Sequence, residues 1–265
     1  MVLPLVCIDV DGTLVGPTGK PTSVVWDAAD AAVERGQHLA LTTARGAIGP
    51  TYEWARRLDP DGWHVFQAGA ALVHTGSGEV REMALSGSVL EVVEAASARH
   101  SWTLEHHSAR GYVVNNNSDL AWSHADLMGV PHHLGEAEDL PSPTVRAQFV
   151  VPHSEVRPAF DAIGNMAAVS SATSPVMPGV TFVSITAHGA TKAGAIERIA
   201  TEVGTTLDRV MMVGDGHNDL EAVKDVGHGV AMGNGEDEVK EAADYVVAAV
   251  EDDGLAEALA LSAEL

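Results

Sequence analysis

Four short stretches hold residue types whose spacing suits chemistry. Asp9-Val10-Asp11-Gly12-Thr13 follows an apolar run. Side chains two apart on an extended chain point the same way, so Asp9 and Asp11 can share one site. Two neighbouring carboxylates repel, and a cation or a shared proton relieves this. Gly12 frees the backbone to turn and offers its N–H to an anion. A calcium-loop reading fails, because counting from Asp9 puts Leu14 and Lys20 where glycine and glutamate are required. An Asx turn after a strand accounts for the same five residues. Gly214-Asp215-Gly216-His217-Asn218-Asp219 follows a second apolar run. Its hard oxygen donors suit Mg²⁺, which needs only one or two carboxylates and keeps its waters. A helix start with acids at its positive end explains them too. Thr42-Thr43-Ala44-Arg45 ends a third run, where a hydroxyl and free N–H groups make either an anion site or a plain helix cap. Lys192 stands before an apolar helix, and taken alone it is a solvated surface cation.

The elements that would position these residues read as α/β. Residues 3–8 form an unbroken branched-apolar run, as in a strand buried on both faces. A helical pattern over 22–35, a strand ending in LTTAR, a helix over 48–58 and two strands split by glycine over 63–74 follow. This order predicts a doubly wound, mainly parallel, Rossmann-like sheet. The pattern changes from about 81 to 183, with helices over 88–99 and 154–168, strands over 111–114 and 145–151, and a Pro- and acid-rich stretch over 131–143. From 184 the first pattern returns, ending in an Ala-rich acidic tail (251–265) expected as a surface helix. The expected organisation is a core built from 1–80 and 184–265 with an α+β insertion over 81–183. In a parallel sheet the four stretches converge on the carboxyl edge, where open α/β sheets bind ligands. Together they would supply a carboxylate nucleophile, a second carboxylate, a metal site, a hydroxyl and a cation. That inventory matches phosphoryl transfer.

On these motifs the chain resembles the haloacid dehalogenase (HAD) superfamily phosphatases, and within them the Cof-type group with a large α/β cap after the third core strand. DVDGT, the Thr of LTTAR, Lys192 and GDGHND match its four motifs, and GVAMGNGEDEVKEAADYV (229–246) is similar to its C-terminal run. The resemblance implies Asp9 as nucleophile, forming an aspartyl-phosphate, and Asp11 as general acid and base. It implies Mg²⁺ held by Asp9, the Asp11 carbonyl and Asp215. Gly12, Thr43, Ala44, Lys192 and Asn218 would hold phosphate, Asp219 would orient Lys192 or metal-bound water, and Arg45 would bind substrate or pair with a local acid. The cap at 81–183 would set specificity. An acid at position 11 favours hydrolysis of a phosphate ester. The chain departs from the group at Ala68-Gly69-Ala70, where Asn-Gly-Ala is usual, and at Ala44, where Gly is usual.

Composition narrows the partners. Fifteen Lys+Arg against 37 Asp+Glu give a net charge of −22, which disfavours nucleic acid and anionic membranes. One cysteine excludes a disulfide scaffold, and the N-terminus lacks a signal-peptide pattern, so a cytoplasmic location is expected. The expected partner is a small phosphorylated metabolite, with a sugar phosphate the leading class, and the chain is expected as a monomer or homodimer. A phosphotransferase or mutase using the same intermediate, and a non-catalytic phospho-ligand-binding protein, are the alternatives. Cys7 reads as an inert buried thiol, and Trp102, Tyr112 and Trp122 as cap core. The pairs His106-His107 and His132-His133 point oppositely on a strand and are not chelates.

Overall fold

The computed structural model describes residues 2–174 and 176–265. They fall into two compact units, Met1–Arg45, Glu53–Val80 and Thr191–Leu265 in the first, Gly46–Tyr52 and Arg81–Ala190 in the second. The chain opens with β1 (Leu5–Ile8), α1 (Ser23–Glu34), β2 (His38–Leu41), α2 (Gly49–Leu58), β3 (Trp63–Phe66), β4 (Ala71–His74) and β5 (Val80–Glu82). All four residues of β1 are fully buried, as a strand between two helical layers requires. Thr22 caps α1 by accepting from the Val25 N–H, and Val25, Ala29 and Ala32 form its buried stripe.

The second unit contains α3 (Gly87–His100), β6 (Thr103–His107), β7 (Tyr112–Val114), α4 (Asp119–Met128), β8 (Arg146–Pro152), α5 (Val156–Ile163), β9 (Ala168–Thr173) and β10 (Val180–Thr186). Its antiparallel sheet has the order β7-β6-β8-β10-β9. One sheet face (Leu104, Ala147, Phe149, Val183, Ile185) packs on Val89 and Val93 of α3 and Ala159 and Ile163 of α5. β6, β9 and β10 escape the sequence pattern, and a division at 183/184 would cut β10 in two. The return to the first unit comes at Thr191 instead, because β10 pairs along its whole length with β8. Trp102 and Tyr112 are buried as expected, whereas Trp122 is 52% exposed and stacks on His132.

The chain re-enters the first unit with α6 (Lys192–Val203), β11 (Val210–Gly214), α7 (Leu220–Asp225), β12 (His228–Ala231), α8 (Asp237–Ala242), β13 (Tyr245–Val246) and α9 (Gly254–Leu261). The core sheet is parallel throughout, in the order β13-β12-β11-β1-β2. Leu5 and Cys7 join Ile196 and Ile199 of α6 and Val223 of α7 in one hydrophobic cluster. Val6 and Ile8 alternate to the opposite face. β3 touches β2 through the single bridge Thr42–Val65 and then forms an antiparallel hairpin with β4. The tail helix α9 is not a surface element: Leu255, Ala258 and Leu259 are fully buried, and it packs on α1. Among the described residues no helix is long and apolar enough to cross a membrane.

Register decides where function can sit. Ile8 pairs with both Val213 and Leu41, so Asp9, Gly214-Asp215 and Thr42-Thr43 leave the sheet side by side at its carboxyl edge.

Candidate active site

Lys192 opens α6 behind its cap Thr191, whose hydroxyl accepts from the Gly194 N–H. Its buried ammonium donates to Oδ1 of Asp9 and to Oδ1 of Asp219, each at 2.6 Å. The other oxygen of Asp219 accepts the backbone N–H groups of Asp215 and Gly216, both at 3.1 Å. Thr13 donates to Oδ1 of Asp215 at 3.0 Å. Gly12 has φ +89°, and a Cβ there would lie 2.1 Å from Oδ2 of Asp215, so glycine is required by both conformation and space. One ligand atom from each of Asp9, Asp215 and Asp219 falls within 4.8 Å of the others.

This crowd of carboxylates sets the electrostatics. Burial, with Asp219 and Asp215 adding repulsion, pushes the Asp9 carboxyl well above its usual range against the pull of Lys192. Burial and Asp219 raise Asp215 to about 6, with Thr13 opposing. Burial works against the Lys192 ammonium, but Asp219 and Asp9 outweigh it and raise its pKa. Three carboxylates against one ammonium leave two negative charges, the complement of one divalent cation. The donors are hard oxygens, which fit Mg²⁺.

Of the residues expected from sequence, Asp9, Lys192, Asp215 and Asp219 meet in this cluster. The Asp11 carboxylate does not: it is 64% exposed and held by both Nε and a terminal nitrogen of Arg45. The pleat is broken by the turn at Gly12, so the two acids diverge. Arg45 therefore pairs with a local acid, and its guanidinium also lies 5.7 Å from the Trp54 ring centre. Thr43 is buried, its hydroxyl accepting from the Arg45 N–H, and Ala44 is half-buried beside it. Asn218 sits exposed on the single 3-10 turn His217–Asp219, while the ring of His217 turns away to Glu238.

Three further residues shape the site without having been assigned a role from sequence. Thr13 fixes Asp215. Asn234 bridges the Gly12 carbonyl and the Val250 N–H, and its setting between Gly233 and Gly235 was the available signal. Gly69 is the third, in a turn where Gln67 (φ 52°), Ala68 (φ 57°) and Gly69 (φ 103°) are all left-handed. A Cβ on Gly69 would lie 2.1 Å from the Thr191 carbonyl, so this turn backs directly onto the residue that caps the Lys192 helix. Cys7 is buried, and burial raises its thiol to about 12, so it is inert at neutral pH. A cavity of about 320 Å³ lined by Leu5, His38, Trp63 and His74 lies at the opposite, amino edge of the sheet, away from these carboxylates.

Residues 6–259 match the family model of haloacid dehalogenase-like hydrolases. The chain is 25% identical over 272 residues to a protein of Streptococcus pyogenes provisionally named as a phosphatase, M6_Spy0533, covering 98% of each. A shorter match, 42% identical over 79 residues, covers 30% of this chain and 32% of the Bacillus subtilis 5-amino-6-(5-phospho-D-ribitylamino)uracil phosphatase YcsE. Among solved structures, a haloacid dehalogenase-like hydrolase from Bacteroides thetaiotaomicron superposes with a TM-score of 0.84 at 25% identity, covering 97% of this chain and 98% of that one. With its parallel core, its inserted antiparallel unit and its acidic cluster at the carboxyl edge, the chain belongs to the haloacid dehalogenase-like hydrolases.

Proposed function

We propose that this protein is a Mg²⁺-dependent phosphatase that hydrolyses a small phosphate monoester, a sugar phosphate or similar metabolite, through an aspartyl-phosphate on Asp9. The observation that carries this reading is the Lys192 ammonium, buried and bonded at 2.6 Å to Asp9 and to Asp219 from segments far apart in the chain. A buried carboxylate clamped on one oxygen is oriented, and orientation is most of what phosphoryl transfer asks of a protein. A bound Mg²⁺ would neutralise Asp9, Asp215 and the phosphoryl oxygens and bring them together.

The residues divide the remaining work. An Asp9 oxygen forms the bond to phosphorus as the ester bond breaks, and Asp11 gives its proton to the departing alkoxide. Water then attacks phosphorus, Asp11 takes its proton, and the Asp9 carboxylate is released with phosphate. Asp11 is exposed, and for this exchange its carboxylate would have to leave Arg45. Lys192 and the Thr43 hydroxyl would hold phosphoryl oxygens, with Ala44 and Asn218 at the rim, whereas the Gly12 N–H, expected from sequence to face the phosphate, donates instead to the Val15 carbonyl at 2.9 Å within its own turn. The second unit would supply substrate specificity as a cap. The sugar-phosphate class draws support from YcsE, whose named substrate is a phosphorylated ribityl compound, though its match spans only 30% of this chain. A cytoplasmic location is part of this proposal.

The test is hydrolysis of p-nitrophenyl phosphate. Activity should require Mg²⁺ and fall by at least about 1,000-fold in Asp9→Asn, with unfolding temperature retained. Activity persisting in that variant would overturn the assignment of the nucleophile.

A further inference from the structure

β9 (Ala168–Thr173) ends the antiparallel sheet of the second unit, whose order is β7-β6-β8-β10-β9. One edge of β9 pairs with β10 along all 6 residues, from Thr173 opposite Thr181 to Ala168 opposite Thr186. Among the described residues no strand pairs with its other edge. In an antiparallel ladder every second residue of such a strand turns its N–H and C=O outward, so the free edge is a row of unpaired donors and acceptors. Ser170, Ser171, Ala172 and Thr173 are all exposed. Successive side chains point to opposite faces, so this part of the strand stands clear on both.

Edge strands that stay solitary are blunted: they are very short, or they carry a charge, a proline or a bulge. β9 has none of these. Its register with β10 is unbroken, and its sequence Ala-Val-Ser-Ser-Ala-Thr holds no charged residue and no proline. The flanking chain is equally bare. No Asp, Glu, Lys or Arg occurs between Asp161 and Lys192, in a chain of which 20% is charged. The nearest charges before the strand, Arg157 and Asp161 on α5, pair with each other at 2.9 Å. Two large apolar side chains flank the strand and are exposed, Met166 at 46% and Val176 at 70%.

Charge selects the occupant of this edge. Each copy of the chain carries −22, so two copies repel wherever acidic surfaces meet, and the repulsion is least where both surfaces are neutral. A basic partner gains nothing here, because the acidic surface elsewhere draws it more strongly. A second copy presents the same neutral edge with the same unmet backbone groups, and antiparallel pairing satisfies both at once. It also sets the Met166 end of one strand beside the Val176 end of the other. We propose that the free edge of β9 pairs antiparallel with β9 of a second copy of this chain, joining the two sheets across a two-fold axis into a homodimer.

Sedimentation velocity of the full-length protein at micromolar concentrations and physiological salt tests this. The wild type should run at twice the mass of one chain. A two-fold axis normal to the sheet brings residues of like parity opposite one another, so Ser170→Glu combined with Ala172→Glu sets carboxylates directly across the junction. This double variant should weaken the dimer by about 100-fold or more, and Val176→Asp, outside the strand, should weaken it too. Circular dichroism checks the fold of each variant, and if the double variant fails to fold, Val176→Asp decides. Hydrogen exchange gives a second readout, since β9 amides should gain protection as the wild type is concentrated. A monomeric wild type, which leaves the edge to some other partner, overturns the proposal. So does a dimer undiminished by these substitutions, or open-ended growth beyond two chains. The readout is association, so it stands or falls independently of the phosphatase assignment.

Discussion

Asp215 makes the site's dependence on acidity measurable. Burial and Asp219 raise it to about 6 without metal, and the metal needs it ionised. Mg²⁺ affinity should therefore fall as pH drops below about 6, approaching tenfold per pH unit, which calorimetry at pH 7.5 and pH 5 would read. The metal-free protein should behave oppositely. Between the ordinary carboxyl value and about 6 its folded state holds a proton that the unfolded chain has lost, so this group's contribution to stability declines as pH rises through that window. Mg²⁺ that left the unfolding temperature unchanged at pH 7.5 would contradict its binding to this cluster. The same residue-level geometry explains why Asp11 could not be placed by parity. The i, i+2 rule assumes an extended strand, and the chain turns at Gly12.

The left-handed turn over Gln67–Gly69 shows how an element can serve a site without touching substrate. It follows β3 and backs onto Thr191, which caps the helix that begins with Lys192. Gly69→Ala would place a methyl group against the Thr191 carbonyl at a φ that only glycine adopts freely. It should cost more than about 2 kcal/mol of stability in urea unfolding and lower kcat by displacing Lys192. Full activity in a folded Gly69→Ala protein would show that the turn and the Lys192 helix are not coupled. The second unit shows why some elements were illegible. β6 reads Thr-Leu-Glu-His-His, with no apolar alternation, because Glu105 is paid for by three donors, His107, His124 and Gln148. A buried polar network of that kind hides a strand from a hydrophobicity pattern. β9, with consecutive serines and mostly exposed residues, hides for the opposite reason.

A net charge of −22 on 265 residues bears on the molecule as a whole. Self-repulsion at this charge opposes folding and is screened by salt. The unfolding temperature should rise by several degrees between low salt and about 0.5 M NaCl, where the Debye length falls to a few ångströms. Differential scanning calorimetry would check this, and a flat response would mean that the charges are spaced widely enough not to oppose folding. Mg²⁺ should stabilise further, and at far lower concentrations, because it binds a specific cluster rather than screening.

The order of the main core elements, the parallel core sheet and the four motif positions were readable from the chain itself. Apolar runs ending abruptly in Asp, Thr or Gly are a local signal, and a buried parallel strand can be written in no other way. Local patterns do not record what distant residues do to one another. Only the tertiary structure decided that Asp219 joins Asp9 on Lys192, that Arg45 draws Asp11 outward, that α9 is buried and that β10 belongs to the inserted unit. Each of these follows from a through-space contact whose free energy depends on burial and distance, and neither quantity is written in spacing along the sequence.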